Sequence, residues 1–117
     1  MGHWGEMLVS FLEGADILSN WTPHLQRRVA GYITNNLNVT PSGIFSHRML
    51  AHAIAAIGAD RIMFSSDCPF QYSPNGGARA FLDTAPISPE DKVKIGYQNA
   101  ERILGLRRAR PGGDCIA

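Results

Sequence analysis

Long apolar runs, a cysteine framework and an excess of charge of either sign are all missing from this chain of 117 residues. Without about 18 consecutive apolar residues, no segment reads as a membrane span. The N-terminus carries no signal-peptide pattern. The two cysteines, Cys68 and Cys115, stand far apart. They make neither a disulfide framework nor a zinc-cysteine spacing, and a reducing cytoplasm is the default compartment. Eleven Lys and Arg are set against ten Asp and Glu, a net charge of +1. Nucleic acid and anionic membrane surfaces, which call for a basic face, are therefore not expected partners. Arg102, Arg107, Arg108 and Arg110 do cluster, but at a helix end and tail, where cations suit the helix dipole. Internal repeats are absent. What remains is an ordinary globular composition, 44% hydrophobic, and one domain at most.

The most informative stretch runs from Arg61 to Phe70, Arg-Ile-Met-Phe-Ser-Ser-Asp-Cys-Pro-Phe. It reads as a buried parallel strand that ends in a carboxylate, Asp67. Burying such a charge unpaired costs several kcal/mol or more, and α/β folds keep their chemistry at the carboxyl ends of parallel strands. Asp67 is thus a candidate metal ligand or acid/base. The alternative is a turn cap before Pro69.

Elsewhere the pattern alternates. Met7, Leu8, Phe11, Leu12 and Ala15 predict an amphipathic helix over 5–18. Pro23 starts a further helical turn or two through Arg28 and Val29. Residues 37–40 form a short strand stopped by Pro41-Ser42-Gly43. Ser46 caps a helix whose stripe is Met49, Leu50, Ala53, Ile54 and Ile57, with Gly58 as its end. Strand, helix and strand make a right-handed βαβ unit. After a Pro/Gly-rich loop, Ser73 to Gly77, comes a short helix around 78–82. Ser88-Pro89-Glu90-Asp91 opens a final helix that turns Val93, Tyr97, Ala100, Ile103 and Leu104 inward and stops at Gly105. Two parallel strands cannot close a sheet whose faces both need cover. The chain reads as a piece of a larger α/β structure, or as a subunit completed by association.

Four segments carry a specific pattern: Gly2-His3-Trp4-Gly5-Glu6, residues 38–46 (Asn-Val-Thr-Pro-Ser-Gly-Ile-Phe-Ser), residues 58–70 around Asp67, and residues 98–106 (Gln-Asn-Ala-Glu-Arg-Ile-Leu-Gly-Leu). In this order and spacing they resemble the C-terminal part of the amidohydrolase-related family of aromatic-acid decarboxylases, over nearly the whole chain apart from the tail. The resemblance implies a TIM-type (β/α)₈ barrel of which about strands six to eight are present, with 37–40 as strand seven and 61–66 as strand eight. Residues 1–107 then form the partial barrel and 108–117 a disordered tail. It implies a metal-dependent decarboxylase, or a hydrolase, of a small aromatic or unsaturated carboxylic acid. Asp67 is the expected ligand of a divalent metal, zinc first and manganese second, and also a proton carrier. His3 is the assisting acid/base, Glu6 its orienting partner, and Phe70 a wall of the substrate pocket. The other metal ligands of the family fall outside this chain. By itself the chain is therefore expected to be inactive, and to pack onto a copy of itself or a complementing N-terminal fragment. Gly14 stands where several members carry a carboxylate-binding arginine.

Each candidate has a plainer reading. His3 near the terminus fits a surface histidine, and Glu6 in a first helical turn fits dipole stabilisation. His24 reads as solvent-facing. His47 and His52, five apart, suit packing better than a shared ion. Asn99 is expected to bond backbone near the barrel mouth, and Cys68 to be a packed thiol. The rival to the fragment reading is an independent small ligand-binding α/β module.

Overall fold

The computed structural model describes residues 1–71 and 76–106. The 107–117 tail, with Arg107, Arg108, Arg110 and Cys115, and most of the Ser73–Gly77 loop lie outside the described residues. Three extended segments run side by side. The Val39 and Ile62 backbones pair in parallel, Val39 N–H donating to Arg61 O at 2.9 Å and Met63 N–H to Val39 O at 2.9 Å. On the other side of Val39, Thr40 N–H donates to Met1 O and Trp4 N–H to Thr40 O, at 2.9 and 2.8 Å. The expected strands over 37–40 and 61–66 thus shrink to a single paired position flanked by extended chain. Pro41 has no N–H to continue the ladder, and Ser42 turns away with φ +44°.

Seven α-helices surround these segments: α1 (Glu6–Ser10), α2 (Leu12–Asp16), α3 (Val29–Asn36), α4 (His47–Ile57), α5 (Gly77–Asp83), α6 (Pro89–Val93) and α7 (Asn99–Leu104). Helix α4 is the crossover between the two paired segments. Ser46 Oγ accepts Met49 N–H at 3.3 Å as its cap, and Leu50 and Ala53 point into the core. That core joins Trp4, Val9, Val39, Leu50, Ala53, Ile62, Phe81, Ala85 and Ile95. Its aromatic contacts centre on Phe81, which meets Trp4 edge-on at 6.2 Å and Phe45 at 5.3 Å.

Three expectations fail in instructive ways. The single helix over 5–18 is broken at Phe11 (φ −122°, ψ 29°) into α1 and α2, so that Met7 and Phe11 lie exposed and only Val9 and Leu12 are buried. The Phe11 ring folds over Gly14, where an added Cβ would meet Phe11 Cζ at 2.1 Å. No helix starts at Pro23. Helix α3 begins at Val29, where Ser19 Oγ and Asp16 Oδ1, distant in sequence, accept the N–H groups of Val29 and Ala30. Those are the free donors of a first turn, and a cap delivered by tertiary structure leaves no local sequence signal.

The last helix is also rephased. Ser88 caps α6 as expected, accepting Asp91 N–H at 3.0 Å. A wide turn over Lys94–Gln98 then separates α6 from α7, and such a turn inserts an extra residue per cycle. Ile95 and Asn99 become the buried face, while Val93, Ile103 and Leu104 are exposed. Asn99 does bond backbone, its Nδ2 donating to Ala59 O and Ile62 O at 2.8 and 2.7 Å. That is the beginning of the Arg61–Ser66 segment, the opposite end from Asp67 and not the mouth. Among the described residues no helix is long and apolar enough to cross a membrane.

Candidate functional site

His3 and Asp67 come from segments separated by more than half the chain, and they meet at the ends of the parallel segments. His3 Nε2 lies 3.6 Å from Asp67 Oδ2, and His3 Nδ1 lies 3.9 Å from Glu6 Oε1. The imidazole therefore stands between two carboxylates. Both distances exceed a hydrogen bond, and catalytic contacts often tighten only when substrate is bound. Asp67 is one-quarter exposed and His3 somewhat less than half exposed, so solvent and a small molecule reach both. Phe70 is at the same segment end with its ring 87% exposed. Cys68, expected to be packed, is exposed instead.

The backbone under this site is unusual. Of the described residues other than glycine, five have positive φ: His3 (+48°), Trp4 (+58°), Glu6 (+50°), Ser42 (+44°) and Asp67 (+61°). Each such conformation costs on the order of 1–3 kcal/mol and persists only where its surroundings enforce it. Trp4 supplies much of that enforcement. It is 3% exposed, its indole N–H donates to Ile44 O at 2.7 Å, and its own N–H is bound to Thr40 O. Gly5 (φ +76°) lets the chain turn directly against Val9 and Val39. Strain concentrated where the candidate side chains project marks a functional site more readily than a structural loop does.

Sequence reasoning missed a polar group beside these residues. Thr40 Oγ1 and Ser42 Oγ are 2.9 Å apart, Ser42 Oγ and Ser65 Oγ 3.3 Å, and Ser42 N–H donates to Ser65 Oγ at 3.2 Å. These hydroxyls tie the segment after Val39 to the one that ends in Asp67. The only signal was Thr-Pro-Ser facing Ser-Ser-Asp, which needs the pairing of the segments to be recognised. The other histidines are as expected: His24 and His52 are exposed, and His47 Nε2 hydrogen-bonds to Phe81 O at 2.9 Å while stacking on that ring.

A catalytic zinc takes three protein ligands and an open position. Among the described residues, no three His, Cys, Asp or Glu side chains are grouped so that they could hold an ion. Asp67 can donate one carboxylate, and these residues do not complete a metal centre.

A family model described as Amidohydrolase matches residues 18–106, and the chain belongs to that family. It is 36% identical over 113 residues to a γ-resorcylate decarboxylase of a Polaromonas species, covering 92% of this chain and 34% of that one. The structure is similar to a dihydroxybenzoic acid decarboxylase of Polaromonas solved with manganese and the inhibitor 2-nitroresorcinol. That match has a TM-score of 0.78 at 37% identity and covers 92% of this chain and 33% of the other. It is also similar to a 5-carboxyvanillate decarboxylase of Sphingomonas paucimobilis, with a TM-score of 0.81 at 29% identity over 91% of this chain and 33% of the other. The chain thus spans about a third of the length of the relatives it matches. Manganese, not zinc, is the ion those solved relatives hold.

Proposed function

We propose that this chain is the C-terminal third, about strands six to eight, of a metal-dependent barrel that removes CO₂ from a small hydroxylated aromatic acid. The observation that carries the reading is the meeting of His3 and Asp67, 3.6 Å apart, at the ends of neighbouring parallel segments. Relatives named as decarboxylases of dihydroxybenzoates and 5-carboxyvanillate support it over hydrolysis.

Non-oxidative decarboxylation breaks the bond between ring and carboxylate. The electron pair stays on the ring carbon, which must receive a proton. Asp67 and His3 are groups that carry a proton at neutral pH, and a positioned acid/base contributes roughly 10²–10⁴-fold. Glu6 orients the His3 ring, and Phe70 closes over the substrate. A bound divalent ion supplies charge stabilisation for an oxygen of the substrate. Asp67 is one of its ligands, and the remainder come from the part of the barrel that the relatives carry and these residues do not. The first ion to test is manganese, and zinc the second. Alone, the chain is a catalytically inactive subunit.

The test is a chimera in which residues 1–106 replace the matching third of the Polaromonas γ-resorcylate decarboxylase. It should release CO₂ from 2,6-dihydroxybenzoate, and Asp67→Asn should lower turnover roughly 10²–10⁴-fold. A folded chimera indifferent to that substitution would refute the role of Asp67.

A further inference from the structure

The outer edge of the Arg61–Ser66 segment is half closed and half open. Backbone groups alternate sides along an extended chain. Arg61 O and Met63 N–H face Val39, so Ile62, Phe64 and Ser66 present their groups to the opposite side. There, Ile62 O accepts from Asn99 Nδ2, and Phe64 N–H donates to Ile95 O at 2.9 Å. Among the described residues, the next two groups on that edge, Phe64 O and Ser66 N–H, have no hydrogen-bond partner. Both residues line a cleft of about 800 Å³ between α5 and α6, together with Leu82, Val93, Gly96 and Tyr97. The charges at its rim are already matched: Arg79 pairs with Asp83 at 3.4 Å, and Lys92 donates to Asp83 O. The cleft thus presents open ladder positions and apolar walls, with no unmatched charge for an anion.

We propose that this cleft is a docking groove for one extended, uncharged strand, which adds in parallel to Phe64 O and Ser66 N–H. The occupant is a strand from the first two thirds of an amidohydrolase chain, the part of each relative's length that has no counterpart here. Asn99 and Ile95 fix the register by blocking every rung below Phe64, so the strand engages only the half of the edge next to Asp67. Strand addition of this kind takes its affinity from main-chain hydrogen bonds and its specificity from side-chain pockets. The inference rests on the proposed function's view of the chain as part of a longer barrel.

The test mixes the full 117-residue chain with the separately purified first two thirds of the Polaromonas γ-resorcylate decarboxylase. It follows mass by light scattering and amide exchange residue by residue. A one-to-one complex is expected, with exchange at Ser66 slowed at least tenfold. Met63 and Phe64, already paired, should be unchanged. Val93→Arg, at an exposed cleft wall, should weaken the complex at least tenfold and leave the chain's own melting temperature in place. No complex, or a complex in which Ser66 exchanges as before, overturns the docking proposal. Manganese retained through Asp67 without protection at Ser66 would sink the docking and keep the proposed function. Protection at Ser66 without manganese would do the reverse.

Discussion

Single residues set the limits of this site. Gly5 is the sharpest case. A Cβ there would stand 2.6 Å from Val9 Cγ2 and 3.1 Å from Val39 Cγ1, at a φ of +76°. Gly5→Ala combines backbone strain with overpacking, and a loss of about 2–4 kcal/mol is expected from urea unfolding midpoints. An unchanged midpoint would show that the turn before α1 is pliable and the positive-φ cluster unimportant. Asp16 sets a different limit. The N–H of Ala30 and the Arg28 guanidinium, with the Ser19 hydroxyl behind them, hold its carboxyl below the usual carboxylate range. A carboxyl whose pKa is lower folded than unfolded adds stability that is full above the unfolded value, near 3.9, and lost as pH falls through the folded value. Asp16→Asn should therefore flatten the acid limb of the stability–pH curve and leave the differences near pH 7 unrelated to proton uptake. An acid limb of the same slope in the variant would rule that linkage out. His3, Glu6 and Asp67 were legible at this scale because their residue types and order form a family pattern. Thr40, Ser42 and Ser65 were not, since hydroxyls acquire meaning only once their segments are paired.

At the scale of elements, caps were readable and phases were not. Ser46 and Ser88 each accept the N–H three residues on, a contact written entirely in local sequence. Replacing either by Ala should cost about 1 kcal/mol, and thermal melts of Ser46→Ala and Ser88→Ala check it. Null effects in both would mean that packing alone holds these helix starts. Apolar spacing was a poorer guide. It pointed Met7 and Phe11 inward, yet they are 75% and 61% exposed, because the helix breaks where the Phe11 ring covers Gly14. It likewise missed the wide turn at Lys94–Gln98, which rotates Ile95 and Asn99 inward in place of Val93 and Ile103. Periodicity assumes an unbroken helix of 3.6 residues per turn, and both failures are departures from that assumption. Asn99 gains its place through this rephasing. Asn99→Leu leaves Ile62 O and Ala59 O without their donor and should cost about 1–3 kcal/mol. Hydrogen exchange should also quicken at Phe64, whose partner Ile95 is on the same turn. Unaltered exchange at Phe64 would mean that the turn holds the edge without Asn99.

For the whole molecule, the decisive fact is proportion. The sequence read as a piece of a larger α/β architecture because two short strands cannot bury a parallel sheet, and the chain indeed matches about a third of each relative. Its surface agrees with incompleteness. Met7, Phe11, Ile17, Leu18 and Trp21 are all at least half exposed, a concentration of apolar side chains that a self-sufficient monomer rarely shows. The substrate, the remaining ligands and the pocket that chooses between relatives' chemistries were illegible, because the loops that determine them are elsewhere in the barrel. The central claim is that Asp67 is a metal ligand in a centre completed by another part of the fold. Elemental analysis of the complex with the Polaromonas N-terminal two thirds tests it directly. Manganese should be stoichiometric in the complex, absent from the 117-residue chain alone, and lost from the complex on Asp67→Ala. Full manganese retention in the Asp67→Ala complex would contradict the account.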